Sequence, residues 1–223
     1  MNNDNENRAE VFVYRLIFSR QGPAIWLGHL DMMRTFERAL RRAAIPLSWS
    51  QGYNPRPQMV FALPISVGLA AEADLIDVSC AEKVDESDFL KRINDKLPEG
   101  LAVSSCNLIN PGRSSLMSLV SEAVYRLEAN NICAAAKHVL EGNQPLITEK
   151  TRKGKTSELD IRALLLDWKC IDANSLDIRV KAGSSSNLRP DLMLKLLTEQ
   201  GGLDNLAAAD AMITRMELII SEE

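Results

Sequence analysis

The sequence predicts an α+β protein made of two tandem ferredoxin-like (split βαβ) halves with antiparallel sheets. Three observations lead there. The first half reads in the order strand, helix, strand-rich segment, strand, helix, strand. The second half follows that order loosely, with similar element spacing but no convincing residue-level repeat. In Asp74 to Cys80, Leu75, Asp77 and Ser79 alternate with Ile76, Val78 and Cys80, as in a strand of a sheet with helices on one face. The expected boundaries are a disordered leader over 1–9, one half over 10–110, a linker over 111–117 and a second half over 118–223.

Val11 to Ser19 (VFVYRLIFS) is rich in β-branched and aromatic residues and predicts a strand. Phe12, Tyr14, Leu16 and Phe18 share one face of it, and Val11, Val13, Arg15 and Ile17 the other. Arg20-Gln21-Gly22-Pro23 predicts a turn. From His29 to Ala44 no Pro or Gly intervenes. At about 100° per residue, His29, Met33, Phe36, Leu40, Ala43 and Ala44 fall in one arc of a helix. Arg34, Arg38, Arg41 and Arg42 fall on the opposite side, and Asp31 near the start suits the helix dipole. The loop Ser50 to Pro57 is dense in breakers. Gly52 is free to take positive φ, and Pro55 and Pro57 hold Asn54 and Arg56 extended. Gln58–Leu63 predicts a strand, 64–73 a small-residue connection and Asp74–Cys80 another strand. Asp85 caps a helix to Leu97, stopped by Pro98 and Gly100, and Leu101–Ile109 is a strand.

In the second half, Ala123–Ala129 predicts a strand and Asn131–Leu140 a helix. Leu146–Thr151 and Glu158–Ala163 flank a hairpin tip at Arg152-Lys153-Gly154-Lys155. Leu164–Ile171 and Ser175–Lys181 predict strands, Arg189–Gln200 a helix and Met212–Ile220 a closing strand.

A chain of 223 residues, 46% hydrophobic, supports a sizeable core. The formal charge of −4 gives no general affinity for nucleic acid, but its distribution is uneven. Residues 8–64 carry eight arginines against three acids, a net of +5, which leaves −9 for the remainder. That asymmetry points to an anionic ligand on the first segment. Cys80, Cys106, Cys133 and Cys170 are scattered singly, with no C-x-x-C pair and no zinc-finger spacing. They predict a reduced, cytoplasmic protein, as does the absence of an apolar N-terminal stretch. No metal site is expected, and no apolar run approaches the roughly 18 residues of a membrane span.

The candidate site residues follow from this charge pattern. Four arginines without a lysine on one helix face, Arg34, Arg38, Arg41 and Arg42, are suited to bidentate phosphate contacts. The plainer reading is a solvated charged face. The stiff loop adds Tyr53, Asn54 and Arg56 in set directions. A second basic cluster, Lys150, Arg152, Lys153 and Lys155, reads either as a soluble hairpin edge or as a finger reaching phosphate. His29 reads either as a locally satisfied first-turn histidine or as a general acid/base beside a bound phosphate. In the second reading His29, Tyr53 and Arg56 line one cleft. His138 has no obvious partner, and there is no P-loop, G-x-G-x-x-G, H-E-x-x-H or G-x-S-x-G pattern.

Several of these stretches together resemble the radical SAM-linked protein family. They are Tyr14-Arg15-Leu16, His29-Leu30-Asp31, Glu37 to Arg42 and Ser50 to Pro57. Thr151 to Arg162 and Ile213-Thr214-Arg215 extend the likeness over most of the chain. The resemblance implies a partner, a radical S-adenosylmethionine enzyme. The chain lacks a C-x-x-x-C-x-x-C motif, so the iron–sulfur cluster and S-adenosylmethionine belong to that partner. The expected function is a non-catalytic accessory protein that binds RNA or another phosphate-bearing ligand. The alternatives are a metal-independent RNA-processing endonuclease using His29, and a pure interaction module docking the enzyme.

Overall fold

A computed structural model describes residues 11–110, 114–142, 144–152, 155–183 and 186–221. The expected leader, residues 111–113 of the expected linker, and Lys153 lie outside these residues. The protein is a mixed α+β chain whose strand pairs are mostly antiparallel. Its contacts divide it into two compact units. One comprises the described residues up to Val67 together with Asp74–Leu116; the other comprises Gly68–Ala73 and Met117 onward. Among the described residues no helix is long and apolar enough to cross a membrane.

In the first unit, β1 (Phe12–Arg20) leads through a 3-10 segment (Gly22–Trp26) into α1 (His29–Arg42). Then follow β2 (Met59–Phe61), β3 (Ala70–Cys80), which belongs to this unit from Asp74 on, α2 (Glu86–Asn94) and β4 (Leu101–Ile109). β1 lies between β4 and β3, and β2 pairs antiparallel with β3. The alternation read from the sequence decides the buried face: Tyr14, Leu16 and Phe18 point inward. Both helices pack on that face. Phe36 of α1 meets Phe18 at 5.0 Å between ring centroids, and Phe89 of α2 meets Tyr14 at 5.1 Å. The Tyr14 hydroxyl donates to the Val84 carbonyl and accepts the Val84 N–H, each at 2.7 Å. Asp85 caps α2 by accepting from the Ser87 and Asp88 amides.

The second unit begins near a short turn of helix, α3 (Leu116–Leu119), followed by β5 (Val120–Glu128) and α4 (Ile132–Leu140). A separate hairpin, β6 (Ile147–Arg152) and β7 (Lys155–Asp160), is succeeded by β8 (Leu165–Cys170) and β9 (Ser175–Lys181). α5 (Pro190–Gly201), α6 (Asn205–Ala209) and β10 (Met212–Ile220) close the chain. The strands run β10-β5-β9-β8. Ala70 and Ala71 pair in parallel with Thr214 and Arg215 of β10. The connection expected over 64–73 therefore ends early, because β10 supplies a ladder for residues that have little strand propensity of their own.

The two units share a repeat that the sequence analysis missed. Val13-Tyr14-Arg15-Leu16 on β1 returns as Val124-Tyr125-Arg126-Leu127 on β5, with Tyr and Leu buried in both. Arg15 forks onto Asp77 with bonds of 2.8 and 2.9 Å, and Arg126 onto Asp177 with 2.7 and 2.9 Å. In each case the carboxylate stands on the strand beside the arginine's own. The hydrogen bonds to these carboxylates hold both guanidiniums more firmly protonated than usual. Four matching letters are too short a signal to stand out in sequence, and the two aspartates lie at unequal distances from them.

The reading of the cysteines as single thiols is also corrected. Cys133 and Cys170 form a disulfide, with Cα atoms 5.7 Å apart across a sequence separation of 37. No spacing rule predicts this pair, because β8 returns to the start of α4 only in the folded unit. Cys80 and Cys106 are buried free thiols, both pushed up to about 12 by desolvation.

Phe36 is fully buried among the rings of Phe18 and Phe61. Phe36→Ala is expected to lower unfolding free energy by about 3–5 kcal/mol, read as a fall in urea midpoint at unchanged m-value.

Candidate anion-binding face

The arginine helix is held by the face that it buries. Met32, Phe36, Ala39 and Leu40 are its buried residues. The expected arc is thus rotated slightly: Met32 and Ala39 join the core, Met33 is half-buried, and Ala44 is exposed beyond the helix end. Phe18, Phe36 and Phe61 meet edge to face at 5.0–5.8 Å between centroids. With that face fixed, Arg34, Arg38, Arg41 and Arg42 all stand exposed.

The helix stops in a tight, fully bonded turn. Ala44 takes φ +51°, its N–H reaches the Arg41 carbonyl at 3.0 Å, and the Ile45 N–H reaches Leu40 at 3.1 Å. This double closure, with Ile45 and Leu40 both buried, is the Schellman pattern. The Arg92 guanidinium covers the Ala43 carbonyl at 2.8 Å and also bonds Ala44.

The stripe that the helical wheel drew as one feature divides into parts. Arg34 pairs with Asp31 at 3.4 Å in the first turn. Arg38 and Arg42, with Thr35, line a groove of about 570 Å³ whose other walls are Pro23, Leu27 and Pro98, with Glu99 also at its edge. Among the described residues nothing pairs with the Arg38 guanidinium, while Arg42 donates to the Lys96 carbonyl at 2.8 Å. Arg41 pairs with Glu37 at 3.3 Å and lies over the Trp49 ring at 5.0 Å.

The groove's wall depends on a residue that sequence reasoning passed over as a turn. Arg20 is 1% exposed. Its guanidinium donates to the Ala24 carbonyl at 3.1 Å, to Leu27 at 2.9 Å and to Ile25. It thereby satisfies the carbonyls of the 3-10 segment from inside. The signal was present: Arg20 continues the inward-facing series Tyr14, Leu16, Phe18. On the other side the Gln21 N–H reaches the Gly100 carbonyl at 2.8 Å. Gly100 takes φ +86°, and a Cβ there would stand 2.3 Å from the Gln21 carbonyl oxygen, so only glycine fits.

The proline loop leaves from Trp49. Trp49 bridges to Pro57, the Ser50 N–H donates to the Arg56 carbonyl at 2.8 Å, and the Ser50 hydroxyl accepts the Arg56 N–H at 3.0 Å. Gly52 takes φ +134°. The closed loop presents Tyr53 fully exposed, with Asn54 and Arg56 also at the surface. Arg41 over Trp49 joins the helix to the loop's base.

His29 is the first residue of α1. Its half-buried ring stands edge-on to Phe61 at 5.6 Å. His138 is exposed on α4. In the second unit, Lys150 pairs opposite Ser157, and Arg152 opposite Lys155, along the β6–β7 hairpin. The strands thus run closer to the tip than the sequence suggested. Among the described residues no three His, Cys, Asp or Glu side chains cluster as metal ligands.

The chain belongs to the family described as "Uncharacterized protein conserved in bacteria (DUF2344)", whose model matches residues 13–190. No curated protein matches it.

Ala44 is an alanine in the left-handed region at a position that favours glycine. Ala44→Gly is expected to raise stability by about 1 kcal/mol, measured by urea denaturation.

Proposed function

We propose that this chain is a non-catalytic accessory protein that binds RNA, or another phosphate-bearing ligand, on the arginine face of its first unit. The observation that carries this reading is the pairing of Arg38 and Arg42, one helical turn apart, on a groove with the Thr35 hydroxyl. Guanidiniums on a concave wall suit bidentate phosphate binding, and a volume near 570 Å³ is that of an ordinary ligand site. Arg41 over Trp49 and the exposed Tyr53 add the alternation of cation and ring on which unpaired bases stack. Asn54 and Arg56 extend that platform, and the β6–β7 lysines and arginine provide a second, non-specific phosphate contact. His29, set against Phe61, serves ring packing in this reading and not proton transfer.

The same reading takes each unit as ferredoxin-like. Support comes from the strand orders, β4-β1-β3 with β2 beside β3, and β10-β5-β9-β8, and from the repeated Tyr-Arg-Leu with its aspartate fork.

A radical SAM enzyme is the proposed partner, on the strength of the sequence likeness described above. Trp26 and Leu30, 69% and 65% exposed at the start of the arginine helix, offer an apolar contact for it. Any iron–sulfur cluster and S-adenosylmethionine are assigned to that enzyme.

Binding of a structured RNA with single-stranded loops, measured against salt, tests the ligand. The double variant Arg38→Gln, Arg42→Gln is expected to make the slope of log K against log salt shallower by about two. An unchanged slope, or no binding at low salt, overturns the reading. RNA cleavage without metal that disappears in His29→Ala, with RNA affinity retained, would establish the endonuclease alternative instead. For the partner, Trp26→Ser with Leu30→Ser is expected to abolish co-purification of the radical SAM enzyme from native cells while leaving RNA affinity unchanged.

A further inference from the structure

We propose that Cys133–Cys170 is a redox site in the second unit, exchanging disulfides with a small anionic thiol that enters the cavity beside it. This goes beyond phosphate binding and is independent of it.

The two cysteines come from different elements. Cys133 is the second residue of α4, and Cys170 is the last of β8. Both line a cavity of about 530 Å³, together with Lys137, Asn131, Ile171 and Asp172. The sulfurs differ in access: Cys133 is 4% exposed, whereas Cys170 is half-buried. An entering thiolate therefore meets Cys170 first, and Cys133 is the leaving sulfur. A sulfur in the first turn of a helix is a favoured leaving group, since the helix field stabilises its thiolate. In the dithiol state the Ser175 carbonyl, 3.3 Å from Cys133 Sγ, is placed to accept its S–H.

The cavity's charges select the thiol. Lys137 stands one turn beyond Cys133 on the same helix and lines the same cavity. Asp172 is occupied with its own turn, accepting the Asn174 N–H at 2.7 Å and the Ser175 hydroxyl at 3.0 Å. Its carboxylate is held below the usual range by those bonds. Those bonds keep Asp172 anionic and tied to its own turn, whereas the Lys137 ammonium has no partner among the described residues and is the group that draws in a thiol bearing a carboxylate.

The chemistry balances with two thiols. The first thiolate attacks Cys170 Sγ, forming a mixed disulfide; the Cys133–Cys170 bond breaks and its electron pair goes to Cys133 Sγ, which takes a proton from water. The second thiolate attacks the small-molecule sulfur of the mixed disulfide, the small disulfide departs, and Cys170 leaves as thiolate. The protein gains two electrons, and two small thiols become one disulfide. Oxidised small disulfide runs the steps in reverse.

The test uses the full, natively folded chain in mixtures of reduced and oxidised glutathione, quenched with acid, alkylated and weighed by mass spectrometry. The bond is expected to open as reduced glutathione rises and to close again with oxidised glutathione. Cys80 and Cys106, buried free thiols, should carry no glutathione throughout. Cys133→Ser is expected to accumulate one glutathione on Cys170. Lys137→Ala should slow opening by glutathione about threefold at low ionic strength and leave the rate with neutral 2-mercaptoethanol unchanged. A bond that opens only in denaturant overturns the proposal, as do two thiols that stay unbonded in oxidised glutathione. Equal effects of Lys137→Ala on both reagents overturn the choice of an anionic thiol.

Discussion

The cluster of Phe18, Phe36 and Phe61 is the contact on which the candidate site depends. Each ring comes from a different element: β1, α1 and β2. Edge-to-face packing among three rings fixes the rotation of α1 about its axis, not only its position. A helix whose buried face is fixed has no freedom in its outer face. The arginines are therefore directed outward by the residues buried on the helix's other face. His29 leans on the same cluster through Phe61, so its place is coupled to the packing that aims the arginines.

Around that cluster, the backbone of the site is finished by polar side chains acting on carbonyl groups. Arg20, buried, holds the 3-10 segment that forms one groove wall. Arg92, more exposed, closes the end of α1. Buried carbonyls without partners are costly, and a guanidinium with five donors can satisfy several together. Arg20 and Arg92 are thus structural. They differ from the exposed Arg34 and Arg41, which pair with Asp31 and Glu37, in where their donors go, and not in residue type. The charge asymmetry of residues 8–64 overstates the surface potential for that reason: Arg15 and Arg20 spend their charge on Asp77 and on backbone.

The second unit is built with the same Tyr-Arg-Leu and aspartate fork but a different outer surface. The helix that follows β5, α4, is mostly apolar, with Ile132, Cys133, Ala135, Ala136 and Leu140 buried. It packs against α5 closely enough that a Cβ at Gly201 would lie 2.8 Å from the Ala135 carbonyl oxygen. Basic charge appears instead on the β6–β7 hairpin, which is tied to α5 by Lys195 and Gln200 donating to the Glu149 and Ile147 carbonyls. The first unit thus carries arginines on a helix, and the second a disulfide between a helix start and a strand end.

By itself the sequence determined the longer strands and helices, though neither α3 nor α6, as well as where α2 is capped and which side of the arginine helix faces water. Those features follow from period, capping chemistry and breaker residues within a dozen positions, and the limits of β4 and β10 follow from them directly. Tertiary structure alone decided what depends on partners distant in the chain. β10 turned Ala70 and Ala71 into strand; β8 brought Cys170 to Cys133; the neighbouring strands revealed the repeated forks by supplying Asp77 and Asp177. It also divided the arginine stripe, because Trp49 captures Arg41 while Pro23 and Pro98 enclose Arg38 and Arg42. A helical wheel records direction about one axis, whereas a binding surface is set by what packs beside it.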